Sequence, residues 1–227
     1  MLMPKLITYL CTEMARDTNY KSFRFKPAQL GKFSENSNEV AKLINKGSRV
    51  MGLTNGTFSL IDLIHSVLQK VGKSDLIVTT WSAGIKDANQ VAWMQNSGLI
   101  NNFTLITDHS YVNRQKAYAV ALDDLFGKEN IRTSEVHAKF VLISNDEYKI
   151  TIRSSMNLNA NKTCESFEID EDQEIFDFYK GFIDHTLLTQ SEGMQQSPAA
   201  ASNSMNSFFA AKPVKNLGLT LNWFSNG

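Results

Sequence analysis

Apolar positions along this chain recur with two periods, and the switch between them marks out its elements. Arg49 to Thr54 has the composition of a strand and Asn55-Gly56 that of a turn. Ser59 stands at the N-cap of a helix whose Leu60, Leu63, Ile64, Val67, Leu68 and Val71 recur at helical spacing, with Gly72 as its stop. Asp75 to Trp81 predicts a buried strand, because Leu76-Ile77-Val78 is continuously apolar rather than alternating. Lys86 to Ser97 predicts a helix stopped by Gly98, and Asn102 to Thr107 the next strand. Asn113 to Phe126 predicts a helix with a stripe at Tyr118, Ala121, Leu122, Leu125 and Phe126, closed by Gly127.

After residue 126 the pattern changes from alternating strands and helices to strands in succession. Ile131 to Glu135 reads as a strand or strand lead-in, Val136 to Ile143 as a strand, and Lys149 to Asn157 as its partner across a polar turn at Ser144, Asn145 and Asp146. Phe167 and Ile169 flank Glu168 in a further short alternation, and Gln173 to Leu188 predicts a last helix with Phe176, Tyr179, Ile183 and Leu187 on one face. The fold class this implies is α/β, a mixed β-sheet flanked by helices.

The flanks read differently. Residues 1–46 form an amino-terminal arm in which Tyr20, Phe23, Phe25 and Phe33 interleave with Lys21, Arg24, Lys26 and Lys32. Such a mixture suits stacking on bases and neutralising phosphates, and equally suits an arm that packs its aromatics on the main domain or a second subunit. Residues 47–189 are the main domain, 190–207 a Ser-, Ala-, Gln- and Asn-rich linker, and 208–227 an apolar segment fit to dock on a protein partner or on the parent domain.

Composition narrows the class without naming a ligand. With 227 residues, 42% hydrophobic and 10% aromatic, the chain belongs with globular proteins rather than disordered or fibrous ones. Its 23 basic and 23 acidic residues cancel, although residues 1–50 are locally basic and 165–184 strongly acidic. Two cysteines, Cys11 and Cys164, have no metal or redox spacing, and no apolar run reaches the length of a membrane span. These features predict a cytoplasmic protein with no membrane association, no metal site and no cofactor.

Candidate chemistry gathers between residues 137 and 168. A period of two puts His137 and Lys139 on one face of their strand, and Ser155 and Asn157 opposite Ile150 and Ile152 on the next. With Glu168 on a third strand, five polar groups converge on one small area. That set suits a phosphodiester: imidazole as nucleophile, with ammonium, hydroxyl and amide groups donating to phosphoryl oxygens as charge builds there. A carboxylate behind the imidazole fixes its tautomer and orientation. The other histidines have ordinary explanations, His65 on the polar side of a helix and His185 near a helix C-terminus, while His109 beside Asp108 is a candidate for the rim. Trp81 and Ser82 stand at the end of the Leu76 strand, a position from which they can line the pocket, although a core aromatic is the preferred reading of Trp81.

The pattern resembles the HKD signature of the phospholipase D superfamily, H-x-K followed by Asp, G-S-x-N and a downstream Glu. His137-x-Lys139 matches the first part, Ser154-Ser155-Met156-Asn157 the G-S-x-N part, and Glu168 stands where the downstream glutamate is expected. The chain departs from the signature at three positions: Ser144 for the aspartate, Ser154 for the glycine and Ser166 for an asparagine before the glutamate. Asp146 is a substitute for the aspartate only if the hairpin shifts by two residues. The resemblance implies a phospholipase D-like single-motif domain with His137, Lys139, Asn157 and Glu168 as catalytic residues and Ser155 as a substrate contact. It further implies a metal-independent phosphodiesterase, a nuclease on DNA or RNA, working through a phosphohistidine. Members of this family supply two motifs and this chain has one, so the expectation is a homodimer sharing one site. The alternatives are an inactive nucleic-acid-binding or protein-interaction module with the same fold, or a lipid phosphodiesterase.

Overall fold

The computed structural model of the chain describes residues 29–30, 36–159, 162–194 and 198–210. Its centre is a mixed sheet of seven strands: β2 (Arg49–Asn55), β3 (Ser74–Thr80), β4 (Ile100–Asp108), β5 (Ile131–Ser134), β6 (Phe140–Ser144), β7 (Lys149–Ser154) and β8 (Cys164–Glu171). A two-residue strand, β1 (Gln29–Leu30), runs parallel to β2 at one edge. The order across the sheet is β1-β2-β8-β7-β6-β3-β4-β5. Strands β3, β4 and β5 are parallel to one another, while β6, β7, β8 and β2 pair antiparallel. This is the mixed sheet flanked by helices that the sequence predicts.

Period-two alternation sorts the strand residues between two cores. Leu76, Val78, Val141, Ile143, Ile150, Ile152, Phe167 and Ile169 pack with α1 (Ser37–Lys42), α2 (Leu60–Val71), α3 (Ile85–Asn96) and α5 (Lys116–Phe126). On the other face Ile106, Phe140 and Leu142 meet Phe176 and Ile183 of α6 (Gln173–Thr189). Both faces of the central strands are covered, which is why Leu76-Ile77-Val78 is an unbroken apolar run. The helix starting after Ser59 is capped as its sequence implies: Ser59 and Asp62 form a capping box, and Gly72 closes the helix with φ +85°. At Gly52, a Cβ would collide with the ring of Phe167 on the neighbouring strand, so the close approach of β2 to β8 requires glycine there.

Three elements differ from expectation. The predicted strand Val136 to Ile143 begins only at Phe140, and residues 136–139 have no regular secondary structure. The reason lies in what the backbone binds: the Val136 N–H donates to the carboxylate of Asp108 (3.2 Å) instead of to a neighbouring strand. The helix predicted over Asn113 to Phe126 is broken at Gln115 (φ −142°, ψ 53°), which separates the one-turn α4 (Tyr111–Arg114) from α5. Part of the stretch read as a linker is helical: α7 (Pro198–Ala210) packs on α6, with Phe208 against Phe182 and His185, and with His185 Nε2 2.9 Å from the carbonyl of Ser204. The basic and aromatic arm, apart from β1 and residues 36–46, and the segment after residue 210 lie outside the described residues.

Candidate active site

Chain direction assembles the site at one end of the sheet. Strand β6 runs antiparallel to β3, so its start at Phe140 pairs with Thr79 near the end of β3. Arg153, next to the end of β7, pairs with that same Phe140, and Ser154 at the end of β7 pairs with Phe167 in the first half of β8. Residues that leave β3 and β7, or enter β6 and β8, therefore share one edge. His137, Lys139, Ser155, Asn157, Trp81 and Glu165 all belong to it.

Local hydrogen bonds hold each part. The Ser154 hydroxyl donates to the carbonyl of Ser166 (2.7 Å) and accepts from the Met156 N–H (3.0 Å), which turns the chain out of β7 at the position where the resembled signature has glycine. Leu158 then bridges to Ala83, its carbonyl accepting from Gly84 N–H (2.7 Å) and its own N–H donating to Thr80 Oγ1 (3.1 Å). That clamp brings Asn157 to the end of β3, where its Oδ1 accepts from Thr80 Oγ1 (3.4 Å), and its amide nitrogen has no acceptor among the described residues. On the opposite side, the buried Tyr111 donates its hydroxyl to Ala83 O (2.7 Å), and burial pushes its pKa up to about 12, so it stays a neutral donor.

His137 and Lys139 meet directly. Lys139 Nζ lies 3.3 Å from His137 Nδ1, 3.4 Å from its Nε2 and 3.0 Å from its backbone carbonyl, to which it donates. Burial lowers the pKa of Lys139 from the usual 10.5, and the nearby carboxylate of Glu165 opposes that shift in part. The imidazole also packs against Trp81, ring centroids 5.5 Å apart and tilted by 56°. Trp81 is thus half-buried at the site rather than a core aromatic, and on it lies the guanidinium of Arg114, 3.7 Å from the ring centroid.

The carboxylate at this edge is Glu165, which the sequence reading passed over. Its Oε2 accepts from the Ser155 hydroxyl, whose Oγ in turn accepts from Ser166 N–H (2.9 Å). Glu168, the residue expected to orient the histidine, stands elsewhere. It pairs with Arg153 (2.5 Å) on the face that α6 covers, and it contacts neither His137 nor Lys139. The two positions differ by three residues, an odd number, so a strand must turn them to opposite faces. Phe167 and Ile169 point into the large core, which puts Glu165 on their side and Glu168 on the other. That parity was the available signal.

The remaining predicted positions also have definite places. Ser144, where the resembled signature has aspartate, ends β6 at the far end of the sheet, paired with Asp75 and Lys149, and Asp146 lies in the exposed turn beyond it. His109 donates its backbone N–H to Ser134 O (2.9 Å), and its Nδ1 lies 3.8 Å from Asp108. Asp108 ties this region together, accepting from Ser110 N–H (2.9 Å) through one oxygen and from Val136 N–H through the other. No cluster of three metal-ligating side chains occurs among the described residues. No helix among them is long and apolar enough to cross a membrane.

No protein-family model and no curated protein match the chain. Solved structures similar to it include NucT from Helicobacter pylori (15% identity, 63% of this chain and 99% of that one, TM-score 0.47). Another is Nuc, a phospholipase D family member from Salmonella typhimurium (11% identity, 66% of this chain and 100% of that one, TM-score 0.45). A third is phosphatidylserine synthase from Haemophilus influenzae Rd KW20 (15% identity, 66% of this chain and 39% of that one, TM-score 0.42).

Proposed function

We propose that this protein is a phosphodiesterase acting on DNA or RNA, with His137 as nucleophile in a site completed by a second copy of the chain. The observation that carries the reading is the contact of an exposed imidazole with an ammonium at the end of the sheet where the Asn157 amide nitrogen, without an acceptor among the described residues, is also placed. A ring nitrogen of His137 attacks phosphorus, forming the N–P bond as the P–O bond to the leaving group breaks. The partner subunit's His137, entering as imidazolium, gives its proton to the leaving oxygen. Water then attacks the phosphohistidine, the partner subunit's His137 takes a proton from it, and the N–P bond breaks to regenerate the imidazole. Lys139 and Asn157 donate to the phosphoryl oxygens throughout.

Hydrolysis of a fluorogenic phosphodiester and of DNA and RNA oligomers in EDTA, wild type against His137→Ala, tests the mechanism. Activity that survives EDTA and falls roughly a thousandfold or more in the variant is the expected result. Sedimentation equilibrium tests the shared site: a strict monomer that still turns over rules it out. A second reading, a nucleic-acid-binding module without turnover, is favoured by one feature, the lack of any carboxylate on the His137 ring among the described residues. Inert wild type that binds oligonucleotide selects it. The lipid substrate class remains as a competitor in the same assay, where vesicles replace the oligomers.

A further inference from the structure

Arg114 differs from the other arginines among the described residues. Arg49 pairs with Asp170, Arg153 with Glu168 and Asp170, and Arg132 with Glu192. Arg114 has no carboxylate partner, and it is exposed. It is nevertheless held on three sides. Its guanidinium stacks on Trp81 at 3.7 Å from the ring centroid, Nη2 donates to Trp81 O (2.9 Å), and Nε donates to Ser110 Oγ (3.2 Å). Ser110 is itself fixed by Asp108, the residue whose other oxygen takes the N–H of Val136, one position before His137. Nη1 has no acceptor among the described residues.

An exposed arginine is ordinarily a mobile side chain with large rotamer entropy. Fixing one without neutralising it leaves a full positive charge and a planar donor edge in a set position. That position is one side chain from the candidate nucleophile, since the same Trp81 ring packs against His137. A single diester has one phosphate, already met by Lys139 and Asn157 in the proposed mechanism, so a second fixed cation beside it matches a substrate whose anionic groups repeat.

Resting on the phosphodiester reading of the site, we propose that Arg114 binds the phosphate next to the scissile one in a nucleic-acid strand, so that the site takes a polymer rather than an isolated diester. Trp81 acts as the platform that fixes the guanidinium in place. The contact is sequence-independent, because it is made to the backbone alone.

The test uses the full chain carrying His137→Ala, which binds without turnover, and fluorescence anisotropy with labelled single-stranded DNA and RNA about 12 nucleotides long. Binding is measured across about 50 to 200 mM salt for this parent, for His137→Ala with Arg114→Ala, and for His137→Ala with Arg114→Lys. The expected result is a loss of about tenfold in affinity for the Arg114→Ala protein, with the slope of log affinity against log salt falling by about 0.7, the value for one phosphate contact on a single strand. Arg114→Lys restores the slope, which also shows that the effect is not one of misfolding. A parent that binds neither oligomer, an Arg114→Ala protein with unchanged slope, or a lysine that fails to restore it overturns the proposal. Inert wild type together with the expected slopes removes the catalytic reading and leaves this one standing. Active wild type with unchanged slopes does the reverse.

Discussion

Two groups of charged residues, one centred on β7 and β8 with Arg49 of β2 and the other at the strand ends with Arg114 of α4, are treated in opposite ways. On the face covered by α6, Asp170 is only 1% exposed and takes Arg49 at 2.5 Å and Arg153 at 2.6 Å, while Arg153 also takes Glu168. Burial disfavours the charged form of Arg153, but Tyr179, Glu168 and Asp170 outweigh it and raise its pKa. At the strand ends, Lys139, His137 and Arg114 form no salt bridge with a carboxylate among the described residues; their neighbours are a tryptophan, carbonyls, the Ser110 hydroxyl and one another, with Glu165 acting on Lys139 only through its field. A carboxylate buried in the first place without its arginines would be prohibitively desolvated, so pairing there is structural. Charges facing water at the edge need no partner, and what they lack in the folded chain is what an anionic ligand supplies.

Breaking the buried group is expected to give the largest change in stability. Asp170→Ala leaves two arginines without their shared carboxylate, a loss of about 3–5 kcal/mol by urea or thermal unfolding. The contrasting variant is Asn157→Ala at the edge. It removes one donor from the developing phosphoryl charge and lowers kcat by roughly a hundredfold or more while moving the unfolding midpoint little. A large stability loss from Asn157→Ala, or none from Asp170→Ala, would erase the distinction between the two groups.

A finer contrast lies within β8 itself. Glu165 raises the pKa of Lys139 against the lowering effect of burial, and Glu168 has no such part. If the ammonium is the form that holds the phosphate, activity falls on the alkaline side as Lys139 loses its proton, at a pH below 10.5. Glu165→Gln removes the supporting charge and moves that limb of the kcat/KM profile to lower pH, whereas Glu168→Gln leaves the limb in place. Lys139→Arg, with a group that stays protonated, takes the limb away altogether. The same shift bears on stability with a definite sign. A lysine whose folded pKa is depressed disfavours the folded state while it is charged, and that penalty fades as pH rises from the folded pKa toward 10.5.

This pair of glutamates also shows where the sequence was legible. The apolar run Leu76-Ile77-Val78, the N-cap at Ser59 and the stripe of α6 each follow from local spacing and stand within a few residues of their expected bounds, whereas the strand expected over Val136 to Ile143 starts only at Phe140. His137, Lys139, Ser155 and Asn157 were readable as a group because they flank the ends of adjacent strands. Glu168 was chosen over Glu165 on sequence interval alone. Its own flanking residues, Phe167 and Ile169, already turned it away from the large core, but which face led to the site depended on where β6 begins. That start was hidden, because Val136 spends its N–H on Asp108, a residue 28 positions earlier. The helicity of 198–210 was likewise masked by a Ser- and Ala-rich composition, since its packing on α6 comes from Phe208 and His185 rather than from a strong apolar stripe.

The smallest predicted effect concerns Trp81, for which the sequence favoured a core position over one lining the pocket. Its ring has one contact to the candidate nucleophile and another to Arg114, so it links chemistry and substrate without taking part in either. Trp81→Phe keeps an aromatic surface and is expected to cost only a few-fold in kcat/KM, because aromatic and cation–π contacts at a half-exposed site contribute about 0.5–1.5 kcal/mol. Trp81→Ala removes both contacts and should cost about tenfold, expressed in KM for oligonucleotides more than in kcat, as Arg114 loses its platform. A change confined to kcat would instead make Trp81 a support for His137 alone, and would detach the guanidinium from the site whose charge it is argued to complete.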